Sequence, residues 1–237
     1  MGFYRRHGKR LFDLLFSLLG LLVLSPLLAL IALVVKCSSP GGAFFLQERV
    51  GLAGKTFRIC KFRSMVADAH RKGPGITAGG DPRVTRIGSL LRRWKLDELP
   101  QLWNVLKGEM SLVGPRPELA YYVQTYTTAQ LAVLSVRPGI TDPASLEYRN
   151  EEELLETATD RERFYKQVVL PAKLALNLEY IQNLSFAHDI AVVMRTLKAI
   201  TFPKTPGAGT SFPRTSGDLP RDDSPAGGEG TGRLTRL

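Results

Sequence analysis

Cysteine is scarce in this chain, and its scarcity narrows the possible classes of protein. Only Cys37 and Cys60 occur among 237 residues. Two cysteines are too few for a disulfide framework or for a metal site built on several thiolates, so the simplest location is a reducing one that faces the cytosol. The sequence also lacks a recognisable helix-turn-helix, zinc-finger or aromatic RNA-binding signature. These absences argue against a nucleic-acid partner.

Acidic residues are scarce in the first half of the chain. Residues 1–110 contain 18 Lys and Arg but only 7 Asp and Glu, whereas residues 111–202 contain 9 and 11. The formal net charge of +10 therefore belongs mainly to the first half. A basic surface suits a nucleotide, an acidic membrane surface or nucleic acid, of which the missing signatures disfavour the last. A non-catalytic, basic, membrane-associated binding or assembly partner is an alternative reading of this charge.

One long run, residues 11–35, is almost wholly apolar: LFDLLFSLLGLLVLSPLLALIALVV. It is too long for a cleavable signal peptide, and it lacks a small-residue cleavage site. As a helix it would extend about 37 Å, more than the roughly 30 Å of a bilayer's hydrocarbon core. Basic residues flank it on both sides, however, and basic flanks prefer the cytoplasm. From these residues alone, a kinked spanning helix and a re-entrant helix both remain open.

The pair Ser25-Pro26 marks the place where a re-entrant helix would turn. Pro26 lacks the amide that would bond the Leu22 carbonyl in a regular helix. Ser25 is a hydroxyl donor that can satisfy a freed carbonyl in lipid. We therefore interpret Ser25-Pro26 as the break of a membrane helix.

The rest of the pattern predicts an α+β protein that is mostly helical. The runs AFFLQERV and TFRICKF, joined by GLAGKT, predict a small β-hairpin. Residues 85–95 have the amphipathic pattern of a helix at a membrane surface or of a core helix with a solvated charged face. Further helices are expected over 161–183 and 185–200, and apolar spacing in the last one favours a core face made of Ile190, Val193, Leu197 and Ile200. Residues 203–237 have the composition of a disordered tail.

Residues 93–117 read RWKLDELPQLWNVLKGEMSLVGPRP and interleave an acidic pair with cations and prolines. We expect a helix to begin at Asp97, because an aspartate at the N-cap binds free amides and Pro100 is tolerated in a first turn. Asp97 and Glu98 would then lie in front of amides that can face a phosphate, although an ordinary helix cap is the alternative. The flanking prolines would hold Arg116 in one direction. The candidate phosphate-binding and substrate-binding residues are Lys61, Arg63, Arg92, Pro115, Arg116 and Pro117.

Taken together, these motifs resemble a known family. The order KRLFDLLFS, Ser25-Pro26, FFLQERVG, KFRSM, DPRVTRIGSLLRRWKLDELPQLWNVLKGEMSLVGPRP and RPGIT is similar to that of the bacterial sugar transferases. Within that family it resembles the small monotopic phosphoglycosyl transferases that act on polyprenyl phosphate. The resemblance covers residues 9 to about 200. It implies a re-entrant membrane anchor over 1–36, with Ser25-Pro26 as its turn, and a catalytic domain over 37–202 with amphipathic interfacial helices around the active site.

The resemblance also implies an activity. Such an enzyme transfers a sugar-1-phosphate from a UDP-sugar to undecaprenyl phosphate, releases UMP and begins a bacterial glycan at the cytoplasmic face of the inner membrane. By resemblance, Asp97 is the covalent nucleophile, Glu98 completes the acidic dyad, and Mg²⁺ binds at Asp97 and the diphosphate. Arg92 and Arg116 match the family's phosphate-binding arginines. In one place the pattern differs: many relatives continue RPGIT with Gly-x-Ala-Gln, whereas here Asp142-Pro143-Ala144-Ser145 follow.

Overall fold

The computed structural model describes residues 3–69, 80–156 and 158–202, and its first element is a long helix. One π-helical turn, Tyr4–Gly8, leads into α1, Lys9–Ser38. This stretch is the one part of the described chain that is long and apolar enough to cross a membrane. The tail predicted over 203–237 lies outside the described residues.

Helix α1 runs through Pro26 as one helical element. The Ser25 hydroxyl donates a 2.8 Å hydrogen bond to the Leu22 carbonyl, which is the carbonyl that the missing Pro26 amide leaves free. The expected compensation by Ser25 is therefore present. Whether α1 turns back within the membrane stays a prediction.

Both ends of α1 pack against the rest of the molecule. Near the first end, Asp13 Oδ1 accepts hydrogen bonds from the Leu112 amide at 2.9 Å and from the Ser111 hydroxyl. Near the second end, Ile31 and Val35 pack in a core cluster with side chains of the following elements. Between the anchors, α1 exposes large apolar side chains: Leu14, Leu15, Phe16, Leu18, Leu19, Leu22, Val23, Leu27 and Leu30.

The predicted hairpin is confirmed. Strand β1, Phe44–Val50, pairs antiparallel with β2, Thr56–Phe62, across a 3₁₀ turn at Leu52–Gly54. The register pairs Gln47 with Ile59 and Arg49 with Phe57. Because side chains alternate along a strand, Arg49 shares one face with Ile59 and Lys61. Ile59 packs on that face against Val105 and Met110.

The amphipathic segment forms helix α2, Arg86–Arg93, with Thr85 as its N-cap. Thr85 Oγ1 accepts a 2.9 Å hydrogen bond from the Gly88 amide. A Cβ at Gly88 would lie 1.9 Å from the Ser64 carbonyl oxygen, so only glycine lets α2 approach the end of β2 this closely. The helix itself is confirmed, whereas its place at a membrane surface stays a prediction.

The remaining described elements complete a mostly helical body. Helix α3, Gln101–Lys107, precedes β3, Ser111–Val113, which pairs parallel with β4, Gly139–Thr141. The helices between and after these strands are α4, Ala120–Val123, α5, Pro143–Glu147, α6, Glu151–Glu156, α7, Arg161–Phe164, α8, Leu170–Gln182, and α9, Phe186–Thr201. A 3₁₀ segment, Gln130–Ser135, follows α4, and a π-helical turn, Tyr165–Val169, precedes α8.

The predicted core face of α9 is wrong in part. Asp189 and Val192 are the buried residues of this helix, whereas Leu197 is 53% exposed. The Asp189 carboxylate accepts hydrogen bonds from Lys9 at 2.6 Å and from the Tyr180 hydroxyl at 2.6 Å. Because the side of α9 that carries Asp189 faces the interior, part of the predicted apolar stripe faces outward.

Candidate active site

The acidic pair lies on a short turn between α2 and α3. Lys95 has a left-handed φ of 55°, which ends the path of α2, and the 3₁₀ turn Leu96–Glu98 follows directly. This turn packs against both β2 and α2, so its side chains are enclosed. Asp97 is 7% exposed and Glu98 is 8% exposed. The pair is therefore set into the body of the protein rather than displayed on its surface.

The expectation that Asp97 caps a helix is wrong. Helix α3 begins only at Gln101, and its N-cap position is Pro100. An N-cap carboxylate accepts from the amides two or three positions later, and the third position after Asp97 is Pro100, which has no amide proton. The Asp97 side chain therefore lacks one of the donors that a capping aspartate uses.

Glu98 forms a buried triad with two cations. Its Oε1 accepts from Lys61 Nζ at 2.9 Å and from Arg116 Nη2 at 2.5 Å, and its Oε2 accepts from Arg116 Nη1 at 3.2 Å. Burial alone would raise the pKa of Glu98, but the charges of Arg116 and Lys61 together hold that pKa well below its usual range. Glu98 is therefore an anion whose role is to hold two cations in place.

Asp97 differs from its neighbour in having no such partner. Its Oδ1 is buried and has no hydrogen-bond partner among the described residues. Burial, reinforced by the adjacent Glu98 carboxylate, raises the pKa of Asp97, while the nearby charges of Lys61, Lys95 and Arg92 oppose that rise. A carboxylate with a raised pKa and no partner is more basic and more nucleophilic than a solvated one. Two adjacent carboxylates thus have separate roles, set by their surroundings.

Lys61 is the second cation of the triad. Burial lowers the pKa of Lys61 to about 8, although the attraction of Glu98 acts against that fall. The charge of Glu98 and its hydrogen bond to Arg116 raise the pKa of the Arg116 guanidinium. Around neutral pH both side chains therefore carry charge at Glu98, the residue that follows Asp97, and cations there could bind an anionic diphosphate.

The loop that carries Arg116 is fixed on both sides. Pro115 and Pro117 are buried, and the Pro115 carbonyl accepts from the Gly139 amide at 2.9 Å. A Cβ at Gly114 would lie 2.5 Å from the Arg137 carbonyl oxygen, so this turn packs directly on the turn before β4. The geometry thus fits the interpretation that the prolines aim Arg116.

Two other predicted phosphate ligands are engaged elsewhere. Arg63 is buried and donates to three carbonyls at the end of α1, those of Val35, Ser39 and Pro40, at 2.8–3.0 Å. Arg92 donates to Glu152 at 2.5 Å on the surface. The structure thus brings Lys61 and Arg116 together on Glu98, and leaves Arg92 within electrostatic range of Asp97.

Sequence reasoning missed Arg49 and Gln101. The Arg49 guanidinium donates to the Pro117 carbonyl at 3.2 Å and lies 3.5 Å from Glu118 Oε2, directly behind the Arg116 loop. Strand alternation could have found Arg49, because it places this residue on the same face as Lys61. Gln101 is 1% exposed and lies one helical turn after Asp97. The four-residue spacing between Asp97 and Gln101 could also be read from the sequence.

The donor set around Asp97 fits a magnesium ion. Among the described residues, no cluster of three or more His, Cys, Asp or Glu could hold a metal by itself. Mg²⁺ does not need one, because it is commonly bound by one or two carboxylates together with substrate phosphates. The unpartnered Asp97 Oδ1 supplies such an oxygen, whereas both Glu98 oxygens are taken by cations.

Residues 142–145, which differ from the pattern of the family that the sequence resembles, form a helix cap. Asp142 is fully buried, and its Oδ1 accepts from the Ser145 amide at 3.0 Å while its Oδ2 accepts from the Ser145 hydroxyl at 2.5 Å. Pro143 follows as the first residue of α5, where a missing amide is tolerated. The local sequence therefore has a structural reason, and the Asp142 charge also acts on Arg116.

Comparison with known proteins gives the family. A family model described as bacterial sugar transferase matches residues 4–203. The undecaprenyl-phosphate glucose phosphotransferase of Komagataeibacter xylinus is 42% identical over 206 residues, or 83% of this chain and 36% of that protein. The UDP-glucose:undecaprenyl-phosphate glucose-1-phosphate transferase of Escherichia coli is 40% identical over 193 residues, covering 80% and 39%.

Lengths differ among the relatives. The exopolysaccharide production protein ExoY of Sinorhizobium fredii is 35% identical over 208 residues, which cover 81% of this chain and 85% of that protein. The matched regions span only 66% and 43% of relatives from Bacillus subtilis and Aeromonas hydrophila. The family model nevertheless covers most of this chain. The chain belongs to the bacterial sugar transferase family.

Proposed function

We propose that this protein transfers a sugar-1-phosphate from a UDP-sugar to undecaprenyl phosphate through a covalent phospho-sugar intermediate on Asp97. The observation that carries the proposal is the difference between the two carboxylates. Glu98 is saturated by Lys61 and Arg116, whereas Asp97 is buried without a partner for Oδ1. Such a pair offers one free nucleophile beside two positioned cations.

The residues support a two-step reaction. An Asp97 carboxylate oxygen attacks the sugar-bearing phosphorus, the bond from that phosphorus to the bridging oxygen breaks, and UMP leaves with the electron pair. Arg116 and Lys61 stabilise the phosphoryl oxygens, and Glu98 keeps both cations aimed. The lipid phosphate then attacks the same phosphorus and frees Asp97. Mg²⁺, held by Asp97 and the diphosphate, would neutralise charge on the leaving phosphate.

Two anchors of α1 support a re-entrant membrane helix. Asp13 is fixed to β3, and Ile31 is packed on α2 and β2, while the stretch between them packs one side on α3 and exposes large apolar side chains on the other. A straight crossing would separate these anchors by about 27 Å along the membrane normal. Both anchors belong to the body that carries the active site, so entry and exit on one face fits better. The basic flanks assign that face to the cytoplasm.

Exposed apolar side chains outside α1 support interfacial helices. Helix α9 exposes Phe186, Met194 and Leu197 along one side, with Arg195 and Lys198 next to them. The Phe186 ring lies 5.8 Å from the Phe12 ring of α1, so the two surfaces are continuous. On α2, Leu90 and Trp94 are exposed as well. A membrane at this surface would hold the lipid phosphate close to Asp97.

Names of relatives indicate which donors to test. They refer to glucose and to N-acetylgalactosamine, each joined to undecaprenyl phosphate, and one refers to exopolysaccharide production. We therefore infer a UDP-hexose or UDP-N-acetylhexosamine donor and a role in starting a bacterial glycan.

The test is UMP release by detergent-solubilised protein from UDP-glucose and UDP-N-acetylgalactosamine, with and without undecaprenyl phosphate and Mg²⁺. Intact-mass spectrometry should detect Asp97 carrying the sugar phosphate when the lipid is withheld. Asp97→Asn should release no UMP and gain no mass. If folded protein releases no UMP from any donor, the proposal fails and a non-catalytic membrane partner becomes the better account. Nucleic-acid binding that weakens steeply as salt rises and does not depend on Mg²⁺ would also favour a non-catalytic partner.

A further inference from the structure

Two buried, unpaired polar atoms belong to side chains that are four residues apart at the candidate active site. Among the described residues, four buried side-chain atoms have no hydrogen-bond partner, and they include Asp97 Oδ1 and Gln101 Nε2. Leu99 and Pro100 between them have right-handed helical backbone angles. Residues four apart in a helical stretch lie on the same face, so these two side chains are neighbours. One is an acceptor and the other is a donor.

The other buried amide on the same helix behaves differently. Asn104 Oδ1 accepts from the Cys60 amide at 3.0 Å, and Nδ2 donates to the Arg58 carbonyl and to Glu109 Oε2, both at 2.7 Å. Asn104 therefore ties α3 to β2 and has an evident structural role. Gln101 is as deeply buried, yet its Nε2 ties α3 to nothing that the structure describes.

An unpaired donor in the interior destabilises a protein, and such groups are rare. A methionine or leucine of similar volume would fill the position of Gln101 without that penalty. The position next to the nucleophile offers a reason for keeping the amide. A phosphoryl group joined to Asp97 would bring non-bridging oxygens into this space, and those oxygens accept hydrogen bonds.

We propose that Gln101 is a further catalytic residue, whose Nε2 donates a hydrogen bond to a non-bridging oxygen of the phosphoryl group transferred to Asp97. This inference rests on the proposed function. As the bond from Asp97 to phosphorus forms and the bond to UMP breaks, negative charge on the phosphoryl oxygens is stabilised by the amide proton, which remains on nitrogen throughout. A fixed donor of this kind acts most strongly where water is excluded.

The experiment compares Gln101→Met and Gln101→Leu with the parent and with Asn104→Met. One measurement is the burst of UMP released from a UDP-sugar in the absence of lipid acceptor, which reports the first step alone. The other is the melting temperature of each protein in the same detergent. We expect both Gln101 variants to slow the burst by about 10²-fold to 10³-fold, the range found for a single lost transition-state donor. Their melting temperatures should be no lower than that of the parent.

Asn104→Met should lower the melting temperature, because the Cys60 amide and the Arg58 carbonyl lose the partner that Asn104 provides. A Gln101 variant that melts like the parent and keeps its burst rate would overturn the role of Gln101 alone. If both Gln101 variants lose as much melting temperature as Asn104→Met, the amide is structural and the inference is wrong. Absence of a burst in the parent itself would instead refute the proposed function, and this inference would fall with it.

Discussion

Replacing Glu98 by glutamine should destabilise the protein strongly, because among the described residues Glu98 is the anion that binds both Lys61 and Arg116. The side chains of Lys61 and Glu98 are 16% and 11% exposed, so Lys61 would be left buried without its counterion. Removing one partner of a buried ion pair costs about 3–5 kcal/mol. Arg116 is more exposed and can regain water, which favours the lower end of that range. At about 2–4 °C per kcal/mol for a chain of this size, the melting temperature should fall by roughly 6–12 °C.

The same substitution at Glu152 is a matched control. Glu152 binds Arg92 at 2.5 Å, but it is half exposed, so Glu152→Gln should cost no more than about 1 kcal/mol. Unfolding can be followed by the fluorescence of Trp94 and Trp103, which are the two tryptophans of the chain. UMP release by Glu98→Gln should also fall, because Arg116 loses the contact that aims it.

A double variant shows whether the loss comes from the ion pair. If Lys61 is costly only when its counterion is missing, then the double variant Glu98→Gln/Lys61→Met should be destabilised by less than the sum of the two single changes. A Glu98→Gln variant that melts within the shift seen for Glu152→Gln would refute the buried-triad reasoning.

Three further outcomes are expected. Transfer activity should fall above about pH 8, because burial lowers the pKa of Lys61 to that value and the ammonium loses its proton there. A pH profile of kcat/KM should show this fall. The variant Lys61→Arg stays charged and should remove it. Gly88→Ala should cost about 1–3 kcal/mol by collision with Ser64, whereas Gly42→Ala, whose Cβ would have an ordinary 3.6 Å contact, should leave the melting temperature nearly unchanged. If Pro26 turns α1 back, a cysteine placed before α1 should resist an impermeant maleimide in intact cells and become labelled when Pro26 is replaced by leucine; labelling in the parent would contradict re-entry.

Local patterns predicted the elements that local interactions determine. Alternation of apolar residues and the GLAGKT turn were enough for the hairpin of β1 and β2, and the amphipathic pattern of residues 85–95 was enough for α2. The sequence indicated Lys61, Glu98 and Arg116 as candidate site residues, and the structure joins them by hydrogen bonds. Sequence motifs were enough to name these side chains, but which of them bind each other could be seen only in the structure.

Long-range pairing explains the features that the sequence did not predict. Arg63 was expected at a phosphate, but the end of α1 presents three carbonyls that need a donor, and Arg63 supplies it. The apolar spacing of α9 favoured Leu197 as core, but Asp189 binds Lys9, which is 180 residues away, and this contact turns the helix. In both cases a polar partner distant in sequence outweighed a local pattern.

Asp97 shows how a failed local rule can point to function. An aspartate four residues before a helix, with proline at the third position after it, looks like a helix cap by composition, yet the proline removes an amide that the cap would bind. Asp97 Oδ1 is then enclosed without a hydrogen-bond partner, and its neighbour Glu98 binds Lys61 and Arg116. A protein gains no stability from this arrangement. Its cost is explained if this carboxylate is reserved for the magnesium ion and the phosphorus of the substrate, which is why Asp97→Asn should abolish UMP release and raise the melting temperature together.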